Sequence, residues 1–156
     1  MYLIYSGGRI YMKISTKGRY ALRMLVDLAE NQGEGYISLN DIASRQDISK
    51  KYLEQIVPML NKAGLLRTNR GNKGGYRLNK PAGNCTVGDV LRATEGSLAP
   101  VSCLEYEVND CPKLERCSTL YVWEEFYALT NRFFDSITLQ DILEHNNENS
   151  GGDYYI

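Results

Sequence analysis

Three cysteines, Cys103, Cys111 and Cys117, stand close together in the second half of the chain, separated by seven and five intervening residues. Thiolates are soft ligands that suit an iron–sulfur cluster, zinc or Cu(I). The spacing does not match a short zinc knuckle, in which CxxC pairs dominate. On the chemistry of the residues three readings stand: a metal or cluster site, a thiol redox switch, or inert cysteines. The residues around them, 97–117, are polar and irregular, a loop able to gather three thiols around one point. A fourth cysteine, Cys85, lies apart. Nothing in this composition presumes disulfides in a cytosolic chain.

A second set of residues carries charge. From Lys13 to Lys80 there are 13 Lys and Arg against 6 Asp and Glu, a net of +7. From Pro81 to Ile156 there are 4 against 13, a net of −9. A basic half beside an acidic half points to an anionic partner for the first half alone. Two solvated faces would give the same arithmetic, so the elements that carry the charges must decide. The chain of 156 residues, 43% hydrophobic and 24% charged, is a folded one. It has no apolar run near the roughly 20 residues of a membrane span, and it does not open with a signal peptide. A cytoplasmic location is expected.

The apolar period locates those elements. Ala21, Leu22, Leu25, Val26, Leu28 and Ala29 form one face of a helix over Lys17 to Asn31. A short extended piece at Tyr36 leads to a second helix, Leu39 to Arg45. Ser49 caps a third helix from Lys50 to about Ala63, stopped by Gly64, with Pro58 inside it in conflict with helix propensity. Leu65 to Thr68 and Tyr76 to Leu78 read as strands joined through Gly71–Gly75. Three helices and a hairpin make a winged helix-turn-helix. Thr86 caps a fourth helix, Val87 to Glu95. After the cysteine loop, a long helix from Thr119 to Asp135 carries Trp123, Phe126, Leu129 and Phe133 on a broad aromatic surface. A small domain cannot hide that surface internally, so it reads as a dimerisation helix. The expected class is mainly α with a small β-hairpin: a winged helix-turn-helix over residues 12–80, then a cysteine loop and dimerisation region over 81–145. A last short helix follows Thr138. Residues 146–156 are expected to form a loose tail, and residues 1–11 a non-native or disordered extension ahead of Met12.

In such a fold the second helix of the helix-turn-helix meets base edges with its N-terminal residues. Ser49, Lys50, Lys51 and Tyr52 occupy that end. Gln55 can pair with adenine and Glu54 can accept from cytosine. The wing offers Arg67, Arg70, Lys73 and Arg77 for the minor groove. Double-stranded DNA is the expected partner. A small enzyme, such as an electron carrier or metal hydrolase, fits poorly: there is one histidine, no HExxH and no glycine-rich nucleotide loop.

Met12-Lys-Ile-Ser-Thr-Lys-Gly-Arg-Tyr-Ala21, Ile48-Ser-Lys-Lys-Tyr-Leu-Glu-Gln55 and Arg70-Gly-Asn-Lys-Gly-Gly-Tyr76, with Gly88-Asp-Val and Ile137-Thr-Leu139, resemble the IscR/CymR/NsrR superfamily of bacterial regulators. The resemblance spans nearly all of residues 12–145. It implies a homodimer on an operator, with long helices crossed between subunits. Lys13, Lys17 and Arg19 would lie near the DNA backbone, and Glu54 would tune operator choice. It also implies an iron–sulfur cluster on Cys103, Cys111 and Cys117, two-iron two-sulfur as in the IscR branch, with a four-iron form as the other possibility. The first cysteine gap is two residues longer than the usual pattern. The fourth-ligand positions of the IscR and NsrR branches are here Leu120 and Arg19, neither a ligand. Asp110, Glu105, Glu107, Glu115, Cys85 and His145 are the remaining candidates. The CymR branch implies a different regulator, without a cluster and acting through a protein partner. On the cluster reading, ordering of 97–117 sets the spacing of two recognition helices, about 34 Å for half-sites one turn apart.

Overall fold

The computed structural model describes residues 13–150. The expected extension over 1–11 and the chain end beyond Ser150 lie outside them. Six helices and one hairpin follow in order: α1 (Thr16–Asn31), α2 (Leu39–Gln46), α3 (Lys50–Lys62), β1 (Leu66–Asn69), β2 (Gly75–Leu78), α4 (Val87–Glu95), α5 (Leu120–Asp135) and α6 (Leu139–Ser150).

Side-chain caps set where the helices begin. Ser15, Ser38 and Ser49 accept from the backbone N–H three residues on, and Thr86 and Asp89 make a reciprocal capping box at α4. α2 ends at Asp47, a non-glycine residue in the left-handed region (φ 51°), so the chain turns sharply into α3. Pro58 stays inside α3. It lies on the exposed face, beside the exposed Glu54, whose carbonyl it cannot serve as a donor.

The wing is antiparallel, with Leu66 opposite Leu78, Arg67 opposite Arg77 and Thr68 opposite Tyr76. A third segment joins it: Ile37 and Tyr76 exchange both backbone bonds, at 2.9 and 2.8 Å. At Gly75 a Cβ would collide with the Ile37 backbone, so this junction requires glycine.

Ala21, Met24, Leu25 and Leu28 of α1 pack with Ile42, Leu53, Ile56, Leu60 and Leu65, all at most 2% exposed. The same core takes in Cys85, Val90 and Leu139. A division at residue 80 therefore does not separate two cores. α4 and α6 pack on α1, and Leu139 N donates to Cys85 O at 2.9 Å. A small second cluster, Val87, Leu91 and Leu98, receives Tyr127, Phe134 and Ile142. The loose tail expected from Asn146 is corrected as far as Ser150, because α6 runs through it. Pairs one turn apart support the extension: Gln140 with Glu144 at 2.9 Å, and His145 with Asn149 at 3.0 Å.

One charged residue sits in the core face of α1. Asp27 is 1% exposed and takes both arms of Arg45, at 2.9 and 2.7 Å, plus Gln46 Nε2 at 3.0 Å. Its hydrogen bond to Asp27 holds the Arg45 guanidinium above its ordinary pKa, against the opposing effect of burial. Removing Arg45 strands a buried carboxylate, whereas removing Asp27 leaves an arginine that water can reach. Arg45→Ala is therefore expected to cost about 3 kcal/mol, and Asp27→Asn clearly less, in urea unfolding. Equal losses would contradict this asymmetry.

Candidate nucleic-acid interface

The start of α3 presents Lys50, Lys51, Glu54 and Gln55, all exposed, on a helix whose first turn is held by Ser49 (Tyr52 N to Ser49 Oγ, 3.2 Å). Leu53, Ile56, Val57 and Leu60 anchor the opposite face in the core. Tyr52 does double duty. Its half-buried ring meets Tyr20 of α1 edge to face at 5.3 Å, which fixes the angle at which the helix start projects. Between α3 and the wing lies a cleft of about 560 Å³, lined by Lys50, Glu54, Asn61, Thr68, Arg70 and Tyr76 among others. Thr68 Oγ1 and Asn61 Oδ1 join its two walls at 3.1 Å.

The other basic residues fall into distinct places. Arg70 and Lys73 stand exposed at the wing tip, and Arg67 is exposed on β1. Arg77 is not brought to the cleft. It is half-buried, stacked 5.7 Å from the Tyr36 ring centre, and lines a separate cavity. Lys13 and Arg19 are exposed beside the start of α1 and Lys17 is half-buried there; Arg19 donates to Thr16 Oγ1 at 3.0 Å.

Several positioning contacts escaped the reading of the sequence. Arg23 donates to the Gln46 side chain at 3.2 Å and to its carbonyl, tying α1 to the end of α2. Ser15 donates to the buried Glu95 carboxylate through its backbone N (3.0 Å) and its hydroxyl, linking the basic start of α1 to the last residue of α4. Gly18 makes this possible, since a Cβ there would strike Glu95 Oε1. Arg92 pairs with Asp135 and reaches Asn131 at 3.1 Å, clasping α4 to α5. The one available signal was Asp27, a carboxylate among Met24, Leu25 and Leu28, which demands a partner.

No residue of α5 is buried. Tyr127 and Phe134 pack on the second cluster, while Val122, Phe126, Leu129 and Phe133 form an outward stripe with Trp123 beside it; Leu129 and Phe133 are each 57% exposed.

All four cysteines are free thiols. Cys85 is sealed in the core, and burial pushes its thiol up to about 11. That position removes it as a ligand for the loop. Cys103 and Cys111 are half-buried, and Cys117 is exposed. Cys111 N donates to Asn109 Oδ1 at 3.0 Å. Cys117 Sγ lies 3.7 Å from Thr119 Oγ1, and that hydrogen bond leads the effects that lower its thiol pKa. The three donors suit a soft metal by type. Their arrangement does not form a preformed cage: among the described residues no three of His, Cys, Asp or Glu are grouped to hold a metal ion.

Three core helices closed by a two-stranded wing, with a basic helix start projecting beside it, define a winged helix-turn-helix regulator. A model described as "Rrf2: Iron-dependent Transcriptional regulator" matches residues 14–145, and the chain belongs to this Rrf2 family of transcription regulators. It is 42% identical over 132 residues to protein rrf2 of Nitratidesulfovibrio vulgaris, covering 85% of this chain and 87% of that one. It is 38% identical over 136 residues to the HTH-type transcriptional regulator IscR of Photobacterium profundum, covering 87% and 78%. Among solved structures, CymR, the global cysteine regulator of Bacillus subtilis, superposes with a TM-score of 0.69 at 37% identity, covering 86% of this chain and 98% of that one. These relatives are regulators rather than enzymes. No described helix is long and apolar enough to cross a membrane.

Thiol reactivity is expected to follow these surroundings. Alkylation by iodoacetamide at pH 8, followed by mass spectrometry, should label Cys117 first and Cys85 last. Early labelling of Cys85 in the folded protein would overturn the ordering.

Proposed function

We propose that this Rrf2-family regulator works as a cytoplasmic homodimer that grips double-stranded DNA with two α3–wing surfaces, the cysteine loop acting as its sensing element. The observation that carries this reading is the start of α3: a capped helix terminus with Lys50, Lys51, Glu54 and Gln55 exposed beside a cleft whose far wall is the basic wing. Lys and Arg at the wing tip and at the start of α1 add charge for phosphates, while Gln55 and Glu54 offer bidentate and acceptor groups for base edges. The outward stripe on α5 supports dimerisation, since a row of large apolar residues left in water is a surface awaiting its match. Two copies are needed for two half-sites.

This reading is tested with purified protein and a library of short duplexes. Lys51→Ala and Arg70→Ala are each expected to weaken binding and to reduce the slope of log K against log [salt] by about one. Phe126→Glu with Leu129→Glu is expected to yield a folded monomer with at least roughly tenfold weaker operator binding. No duplex binding at low salt, or a dimer that survives the α5 double substitution, counts against the respective half of the proposal.

For the sensor, Cys103, Cys111 and Cys117 are the residues that would hold an iron–sulfur cluster, of the two-iron two-sulfur or the four-iron type. The support is the set of three thiolate donors and the family's description as iron-dependent. A cluster would supply redox or gas sensitivity. What the chain itself contributes is the loop that joins α4 to α5, so any change in its shape acts on the dimer helix. A second reading, a cluster-free thiol regulator working through a protein partner, is favoured by the lowered pKa of the exposed Cys117 thiol and by the likeness to CymR. Anaerobic purification separates the two. The cluster reading expects visible absorbance with stoichiometric iron and sulfide, lost in Cys117→Ala. Colourless protein whose operator binding changes on oxidation supports the thiol reading.

A further inference from the structure

The outer face of the wing carries an arrangement that the α3–wing cleft does not use. Arg67 and Arg77 are register partners on β1 and β2, so two positive side chains stand directly opposite on the same face. Like charges in that relation destabilise a hairpin. The Arg77 guanidinium is held in place by Tyr36, 5.7 Å below it. Its Nε is buried, and among the described residues it has no hydrogen-bond partner. A buried donor left without an acceptor is costly and calls for an explanation. Beside it lies a cavity of about 300 Å³, separate from the cleft and lined by Arg77, Gln32, Asn79, Lys80 and Ala82 among others. Gln32 Oε1 already accepts from Leu78 N at 2.8 Å, so what this amide has left to offer is its N–H donors. Lys80 adds a second positive charge, shared with Asp89 at 3.1 Å.

A pre-oriented guanidinium, an ammonium and an amide around a small cavity are complementary to an oxyanion. We propose that this cavity, at the base of the wing where the chain turns toward α4, is a binding site for one small oxyanion, a phosphate or carboxylate group, with Arg77 as its anchor. The cavity shares no lining residue with the α3–wing cleft. Its oxyanion can come from a free solute or from a backbone phosphate of bound DNA, and the experiment distinguishes the two.

Thermal unfolding of the full chain is followed in chloride buffer and at matched ionic strength with sodium phosphate or sodium succinate. A saturable rise in Tm of about 4 °C at tenfold excess over the dissociation constant is expected for the unaltered chain, and loss of that rise for Arg77→Met. Arg77→Lys keeps the charge but lacks the planar guanidinium fork. It should lose most of the rise as well, and it decides the matter if the Met variant does not fold. If free anions leave Tm unmoved while Arg77→Met lowers the salt slope of duplex binding by about one, the oxyanion is the duplex's own phosphate and the site stands in that form. Equal Tm shifts with and without Arg77 overturn the proposal, as does the absence of both the Tm effect and the slope effect. Loss of the Tm rise with duplex binding intact shows that the cavity and the α3–wing surface fail or succeed independently.

Discussion

The buried carboxylate of Asp27 is the constraint on which the rest of this structure turns. A charge at 1% exposure persists only if its partners are in place, and its three side-chain donor contacts come from the last two residues of α2. The ion pair therefore fixes the end of α2 against the middle of α1. Asp47 then reverses the chain within one residue, and Ser49 opens α3. The direction in which the basic helix start leaves the body follows from this short chain of contacts. An apolar contact at the same place could slide, whereas a bidentate arginine pair has one geometry.

α4 is the second organising element, because its two ends serve different halves of the molecule. Its start is pinned beside the start of α6, where Val87 N donates to Ile137 O at 2.8 Å. Its end reaches back to Ser15, and Arg92 on its flank clasps α5. The loop that carries Cys103, Cys111 and Cys117 leaves directly from that end and runs into α5. The proposed sensing role would act through these contacts, since the loop is flanked by elements tied to the winged helix.

Much of this was legible from residue order. Apolar period and caps placed α1, α2, α3 and α4 to within a residue or two, since Ser49, Thr86 and Gly64 are local signals with local consequences. The hairpin was readable from its glycines and the extended piece at Tyr36 from its place between two helices, but the pairing of Ile37 with Tyr76 was not, because one bridge leaves no alternation to detect. One core spans the boundary near residue 80, since Cys85 and Leu139 join residues of α1 and α3 in it, and no local pattern announces that. The basic residues stand out in the sequence as charges, yet strand register and the stacking partner of Arg77 decide which face each one occupies. Whether three thiols in an irregular loop converge depends on its backbone path, to which periodicity does not speak.

Leu139 has one more consequence. Fully enclosed, it contributes about 2 kcal/mol of apolar burial, and it arrives from beyond α5 to complete the core of the helix-turn-helix. The reading head is therefore not a severable module. Cutting the polypeptide after the wing would remove Cys85, Val90 and Leu139 from the core, and cutting it after α5 would still remove Leu139. Natural or laboratory fusions that borrow this winged helix must carry the whole chain through α6, and the cysteine loop accordingly travels with it.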